Sequence, residues 1–136
     1  MTTKTITQSV TLPGRPATVY AALMDEKKHA AFTGDAAKID ARIGGGFTCY
    51  GGYITGVTVD LVPDKQIVQA WRAKGWPKGF HSLVTFALSP GGTGKTKLRF
   101  THLGVPTRDF KAKSTGWRSH YWEPLKRYLA AGNDLV

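Results

Sequence analysis

The hydrophobic period of the chain changes along its length, and this change constrains the fold more than any other feature. Residues 4–12 alternate between apolar and polar side chains, which predicts a half-buried strand. Residues 16–32 have helical spacing with a break near Asp25, which predicts one or two short helices. The period returns to two from residue 36, and a helical stripe appears near residue 115. This order of elements is typical of an α+β domain.

Glycine- and proline-rich segments divide the alternating region into six further strands. We expect these strands near residues 37–42, 46–50, 53–62, 66–74, 80–88 and 96–103. Because the breaks between most of them have the length and composition of hairpin turns, the sheet is predicted to be antiparallel. With the first strand, it has six or seven strands.

Matching apolar faces across two hairpins predicts which side chains point inward. A turn centred on Asp64 pairs Val57 with Trp71, so Trp71 points to the apolar side together with Val57 and Val59. In the next hairpin the same procedure pairs Val84 with Phe100 and Phe86 with Leu98. Lys97 and Arg99 then point outward.

Residues 115–131 form the clearest amphipathic segment, with Gly132 just past the predicted helix end. Pro124 lies inside this helix and is expected to bend it, because proline has no N–H for the hydrogen bond to residue 120. One helix and one sheet share a single interface, so their aromatic side chains should meet there. If this interface encloses a cavity, it would bind a small apolar or aromatic ligand. The residues expected to line such a cavity are Trp71, Phe86, Phe100, Trp117 and Tyr121.

Size and cysteine content exclude several classes of protein. A chain of 136 residues is expected to form one domain, here residues 1–136, and one cysteine allows no internal disulfide. No apolar run has the length of a membrane span, and the first residues lack the apolar block of a signal peptide. We therefore expect a soluble cytoplasmic domain, whose oligomeric state the sequence leaves open.

The positive charge is concentrated in the second half of the chain. The formal net charge is +10, and 12 of the 19 Lys and Arg residues but 3 of the 9 Asp and Glu residues follow residue 70. Such a field favours an acidic partner, and the basic residues expected to contact it are Lys97, Arg99, Lys126 and Arg127. No run of five basic residues occurs, which argues against nucleic acid as the partner.

Motifs for catalysis or cofactor binding are weak. The segment from Ser89 to Thr96 nearly matches a phosphate-binding loop, but a strand rather than a helix follows it, so we expect no nucleotide there. The four histidines and Cys49 lack metal-ligand spacing, and no carboxylate pair or nucleophile elbow is evident. We expect no metal, no cofactor and no catalytic residue, and these absences argue weakly against an enzyme.

Motifs spread in order along nearly the whole chain resemble the C-terminal domain of the activator of the heat-shock protein 90 ATPase. The matching segments are Phe32-Thr33-Gly34, Ile39-Asp40, Gly44-Gly45, Phe47, Gly52, Ile54-Thr55-Gly56, Leu61-Val62-Pro63, Trp71-Arg72, Trp76-Pro77, Ser82–Thr85, Thr101-His102, Gly104-Val105-Pro106, Gly116-Trp117 and Tyr121–Lys126. This family is START-like, with a helix-grip fold similar to that of the birch-pollen allergen. The resemblance implies a curved antiparallel sheet around a long C-terminal helix, often with an apolar cavity.

Three functions are compatible with the resemblance and the residues. The first is a non-enzymatic binding domain for a small hydrophobic or aromatic molecule. The second is a protein-interaction module that stimulates a heat-shock ATPase, for which an acidic chaperone would be the partner. The third is an enzyme of the cyclase or aromatase kind, which rests on superfamily analogy alone. The N-terminal domain of the co-chaperone has no counterpart in these residues, so the resemblance does not by itself imply chaperone activation.

Overall fold

The strands form one antiparallel sheet of seven strands in the order β1-β7-β6-β5-β4-β3-β2, in a computed structural model that describes residues 2–132. The first strand therefore pairs with the last one. The strands are β1 (Thr3–Pro13), β2 (Lys38–Ile39), β3 (Gly46–Cys49), β4 (Ile54–Val62), β5 (Gln66–Ala73), β6 (Ser82–Pro90) and β7 (Lys95–Pro106). The α+β class, the antiparallel sheet and the strand count are confirmed. Residues 89–96 lie at the β6–β7 hairpin, as predicted.

Two short helices follow β1, as the sequence predicts: α1 (Pro16–Met24) and α2 (Glu26–Thr33). Asp25 separates them, because its backbone is extended and its carboxylate accepts the N–H groups of Lys27 and Lys28 at 2.9 and 3.0 Å. This is the hydrogen bonding of a helix N-cap. Gly34 ends α2 in the left-handed conformation, with φ of 78°.

The C-terminal helix is longer than predicted and changes its winding twice. It consists of α3 (Phe110–Gly116), a π-helical segment (Trp117–Trp122) and α4 (Glu123–Ala130), and the backbone stays right-handed at both junctions. The helix begins at Phe110, five residues before the predicted start at residue 115. The sequence does not reveal α3 because none of its side chains is buried, so α3 carries no apolar stripe. Of the described residues, no helix is long and apolar enough to cross a membrane.

The register of the β4–β5 hairpin departs from the prediction because of a β-bulge. Leu61 pairs with Ile67 as expected, but the register shifts between Thr58 and Asp60, and Val59 is the extra residue. Beyond the bulge Gly56, not Val57, lies opposite Trp71. The prediction that Val57 and Val59 share the inner face with Trp71 is therefore wrong, and both valines are nearly half exposed. A bulge reverses the alternation of one strand and leaves its partner unchanged, so Trp71 still points inward.

The register of the β6–β7 hairpin differs from the prediction by two residues. Phe86 lies opposite Phe100, and Leu88 lies opposite Leu98. A shift of two residues keeps each side chain on its face, because the side-chain period of a strand is two. The prediction of buried and outward residues on these two strands is accordingly correct, with Phe86 and Phe100 on the inner face that packs against the C-terminal helix.

Candidate functional site

A groove of about 550 Å³ opens to solvent between the C-terminal helix and the β3–β4 connection. The helix contributes one wall, which includes Lys113, Gly116, His120, Pro124 and Arg127. The opposite wall includes Tyr50, Tyr53 and Ile54, together with Thr33 at the end of α2 and Asp35 just after it. Trp71, Trp117 and Tyr121 lie at the bottom. The groove is large enough for a small organic molecule.

The bottom of the groove is formed by aromatic rings that the sequence predicts to face each other. The ring centroids of Trp71 and Trp117 are 5.7 Å apart, and those of Trp117 and Tyr121 are 4.9 Å apart. Trp71 points inward because it lies on the same face of β5 as the buried Ile67, Gln69 and Ala73, which occupy every second position of the strand. Trp117 and Tyr121 lie four residues apart, about one turn along the same face of the helix.

The other two predicted cavity residues pack in the core and do not line the groove. Phe100 is fully buried. The centroid of its ring lies 4.3 Å from that of Trp117 and 5.5 Å from that of Phe86. The interface between sheet and helix is thus largely filled by rings. An internal void of about 20 Å³ lies among the described residues of this interface, and Phe86 lines it.

A continuous chain of hydrogen bonds runs beneath the groove through His102, which sequence reasoning left without a role. The indole N–H of Trp117 donates to Nδ1 of His102 at 3.0 Å. Nε2 of His102 lies 2.7 Å from the Ser82 hydroxyl, which in turn donates to the Trp71 carbonyl at 3.0 Å. This pattern assigns a neutral imidazole protonated at Nε2. Burial and the nearby positive charge of Lys113 lower the pKa of His102 to about 3.

A second buried histidine, His29 of α2, also escaped the sequence reasoning. Its Nε2 lies 3.0 Å from the Tyr121 hydroxyl and 3.8 Å from Sγ of Cys49. Burial lowers the pKa of His29 to about 4 and raises the pKa of the Cys49 thiol to about 12. Both groups are therefore uncharged near neutral pH. A single histidine in a short helix has no spacing signal that would have revealed its place against Tyr121.

The entrance of the groove carries positive charge held against aromatic rings. The ammonium group of Lys113 lies 4.8 Å from the ring centroid of Tyr53 and 5.7 Å from that of Trp71, and it donates to the Tyr53 hydroxyl at 3.1 Å. Arg127 lines the same groove, and Asp35 is its acidic residue. Lys113 was not predicted as a site residue, because its position depends on how α3 lies over the sheet.

Tyr50 connects the two walls of the groove. Its hydroxyl donates to the backbone carbonyl of His120 at 2.8 Å. Pro124 has no N–H to offer that carbonyl, so the tyrosine supplies a donor where the α-helical pattern would lack one. Tyr50 has a positive φ of 52°, which is uncommon for a residue with a side chain. Burial, chiefly, raises its pKa.

The four basic residues predicted to contact a partner do not form one surface. Lys97 and Arg99 are exposed on β7 and alternate with the buried Leu98 and Phe100, so they lie on the sheet face opposite the helix. Lys126 lies on the helix, 4.0 Å from the Glu123 carboxylate. Arg127 lines the groove. Residues 2–132 contain no cluster of three His, Cys, Asp or Glu side chains that could hold a metal ion.

A family model matches most of the chain. Residues 14–130 match the family described as activator of Hsp90 ATPase homolog 1-like protein. The chain is 33% identical over 134 residues to an activator of 90 kDa heat shock protein ATPase homolog of Dictyostelium discoideum. It is 32% identical over 130 residues to the human activator of 90 kDa heat shock protein ATPase homolog 1.

These relatives are longer than the chain. The matches cover 98% and 96% of the chain but 35% and 38% of the Dictyostelium and human proteins. The fold is also similar to the crystal structure of an HSP90 activator from Plasmodium falciparum, with a TM-score of 0.87 over 93% of this chain and 96% of that one. At 21% identity this likeness concerns the fold alone.

Proposed function

Because the chain belongs to the activator of Hsp90 ATPase homolog 1-like family, whose START-like fold presents a groove between sheet and helix, we propose that it is a non-enzymatic binding domain. Its ligand is a small aromatic or apolar molecule that carries an anionic group at its outer end. The observation that carries the proposal is the 550 Å³ groove with Trp71, Trp117 and Tyr121 at its base. Aromatic side chains in a concave site provide apolar contact and favour ring stacking.

The charges at the entrance support an anionic group on the ligand. Lys113 and Arg127 outnumber Asp35 along the groove walls, and the whole chain carries a formal net charge of +10. Lys113 is held in place by the rings of Tyr53 and Trp71, so its position does not depend on the ligand. A carboxylate or sulfonate would therefore meet a positioned cation next to an aromatic surface.

The protonation states of the buried groups behind the groove support binding rather than acid–base catalysis. A general acid or base works best when its pKa lies near the working pH. The pKa values of His29 and His102 are lowered to about 4 and about 3, and that of Cys49 is raised to about 12. None of these groups exchanges a proton readily near pH 7.

The fluorescent aromatic sulfonate 1-anilinonaphthalene-8-sulfonate tests this proposal by titration. We expect Tyr53→Ala to weaken binding by about two- to tenfold through loss of aromatic contact. Lys113→Gln should weaken binding by about two- to fivefold through loss of the cation. Tyr53 and Leu103 are equally exposed, at 45%, but Leu103 lies on the opposite face of the sheet.

Matched variants on other surfaces are the controls. Leu103→Ala removes an equally exposed apolar side chain, and Lys111→Gln removes an exposed lysine two residues from Lys113. Both should leave the affinity unchanged. If they weaken binding as much as the groove variants do, the probe binds the surface unspecifically and the proposal is wrong.

A second candidate is a protein-interaction module that acts as a co-chaperone-like stimulator of a heat-shock ATPase. It is favoured by identities of 33% and 32%, over nearly the whole chain, to proteins named activators of the 90 kDa heat shock protein ATPase. The chain spans little more than a third of those relatives, so their activity belongs to longer proteins. The basic surface residues would contact the acidic partner in this function.

A further inference from the structure

The internal void behind the groove is lined in part by polar groups that have unused hydrogen-bonding capacity. The void measures about 20 Å³, which is room for about one water molecule. Apolar side chains form most of its wall, but His29, Cys49, Gln69 and Tyr121 also line it. Protein interiors seldom leave such groups without partners, because an unpaired buried polar group costs about 1–3 kcal/mol.

His29 has one hydrogen bond fewer than its imidazole can make. It is 2% exposed, and its Nδ1 has no partner among the described residues. If Nε2 accepts a hydrogen bond from the Tyr121 hydroxyl, the neutral ring is protonated at Nδ1, and this N–H is unused. If Nε2 instead donates to Tyr121, Nδ1 is an unused acceptor. In either tautomer a group that both donates and accepts can satisfy the ring.

Two further polar side chains lie on the neighbouring strands. Gln69 lines the void, is 7% exposed and makes no side-chain hydrogen bond within the described residues. Its cross-strand neighbour Thr58 is fully buried, and the Thr58 hydroxyl has no partner in the described part of the chain. Side chains directly opposite on an antiparallel pair are about 5 Å apart at Cβ. The unpaired Thr58 hydroxyl therefore lies close to Gln69.

Only one layer of side chains separates the void from the groove. Tyr50, Trp71, Trp117 and Tyr121 line both spaces. Of these, Tyr50 is the least buried, and its hydroxyl is held by one hydrogen bond to the His120 carbonyl. An opening between the two spaces would therefore lie at Tyr50, whose side chain would have to release this hydrogen bond.

We infer that the void is the inner, polar compartment of the same binding site, in which a neutral hydroxyl or carbonyl group of the bound molecule hydrogen-bonds to His29 and Gln69. This inference rests on the proposed function of the groove. The inner group is uncharged, because no charged side chain among the described residues lines the void and an unpaired charge there would be strongly disfavoured. The ligand class is thus an aromatic molecule with an anionic outer end and a hydroxyl or carbonyl inner end.

A pair of probes that differ by one hydroxyl group tests the inference. 2-Naphthoate and 6-hydroxy-2-naphthoate share the ring and the carboxylate, and the second carries a hydroxyl at the far end. We expect the wild-type protein to bind the hydroxylated probe about five- to tenfold more tightly by calorimetry, which is the effect of one neutral hydrogen bond. Gln69→Leu should abolish this preference, so that the variant binds the two probes with equal affinity.

The outcomes separate the inference from the proposed function. If neither probe binds, the proposed function fails and the inference falls with it. If both bind the wild-type protein equally, or if Gln69→Leu keeps the preference, the groove binds aromatic anions and only the inner compartment is wrong.

A measurement on the wild-type protein avoids any dependence on the folding of the variant. We expect 6-hydroxy-2-naphthoate to shift the imidazole ¹⁵N resonances of His29, whereas 2-naphthoate should shift them much less. His102 is the internal reference, because both of its nitrogens are already hydrogen-bonded. Equal shifts at His29 with both probes would overturn the inference.

Discussion

At the residue scale, the two buried histidines show how the same side chain takes different roles. His102 uses both ring nitrogens, between the Trp117 indole and the Ser82 hydroxyl, and so fixes the packing of the helix on the sheet. His29 uses Nε2 and leaves Nδ1 without a partner. The first histidine is structural, and the second keeps a hydrogen bond available beside the internal void.

Acidification should destabilise the protein through both histidines. Their pKa values are lowered to about 4 and about 3 in the folded protein, below the unfolded value of about 6.5. The unfolded chain therefore binds more protons below pH 6.5, and stability is full above that pH and falls as the pH decreases. Each histidine contributes a slope of about 1.4 kcal/mol per pH unit. Urea denaturation at pH 7, 6 and 5 measures the slope.

The exposed His81 provides the control for this measurement. His81→Gln should leave the slope of stability against pH unchanged. His102→Gln should lower this slope by the contribution of one histidine, about 1.4 kcal/mol per pH unit. A pH dependence that is the same in all three proteins would show that neither buried histidine governs the acid response.

At the element scale, the C-terminal helix is shaped by Pro124 and by the residues before it. The helix winds as a π-helix over Trp117–Trp122 and returns to α-helical winding at Glu123, next to the proline. Such π segments occur frequently at functional sites. Here the π segment presents Trp117 and Tyr121 to the groove, and the Tyr50 hydroxyl bonds the carbonyl of His120 within it.

Removal of the Tyr50 hydroxyl should destabilise this junction. We expect Tyr50→Phe to lower the free energy of unfolding by about 0.5–1.5 kcal/mol, because the His120 carbonyl loses a donor. Tyr53→Phe is the matched control. Within the described residues, the Tyr53 hydroxyl makes one hydrogen bond, which the exposed Lys113 ammonium donates. Urea denaturation compares the two. Equal losses would show that Tyr50 does not tie the walls of the groove together.

At the scale of the whole molecule, the basic residues are spread over different faces. Lys97 and Arg99 lie on the outer face of the sheet, whereas Arg127 lies at the groove on the helix side. A formal net charge of +10 creates a long-range field, which would steer an acidic partner before contact even where the charges do not form one patch.

Reversal of these charges should slow association and leave folding nearly unchanged. Replacing Lys97, Arg99, Lys126 and Arg127 with Glu lowers the formal net charge from +10 to +2. For an Hsp90-type ATPase as the partner, we expect the association rate at low salt to fall by about tenfold or more and its salt dependence to flatten. Exposed charges contribute little to stability, so the melting temperature should change by only a few degrees.

A charge-conserving variant controls for changes of side-chain shape. Exchanging Lys and Arg at the same four positions should preserve the association rate. If the reversed variant associates at the wild-type rate while its melting temperature falls sharply, these residues are structural and the co-chaperone-like candidate loses its proposed contact residues.

The sequence by itself determined the elements and the faces they bury. Alternation placed Phe86, Phe100 and Trp71 on the inner face and Lys97 and Arg99 on the outer one, and these assignments agree with the structure. They are predictable because burial follows a local period, which each strand or helix repeats along its own few residues. For the same reason, α3 was missed: it has no buried residue and hence no period.

Only the tertiary structure decided how these faces meet. The bulge at Val59 left Trp71 inside but moved Val57 out, and periodicity does not reveal an extra residue in a strand. The groove depends on contacts between Tyr50 and His120, 70 positions apart, and the neighbour of His29 is Tyr121, 92 positions away. Such contacts are set by the distance and angle at which the helix crosses the sheet. A filled interface and a hollow one have the same apolar sequence pattern. The volume left open between the sheet and the helix is therefore a property of the folded molecule alone.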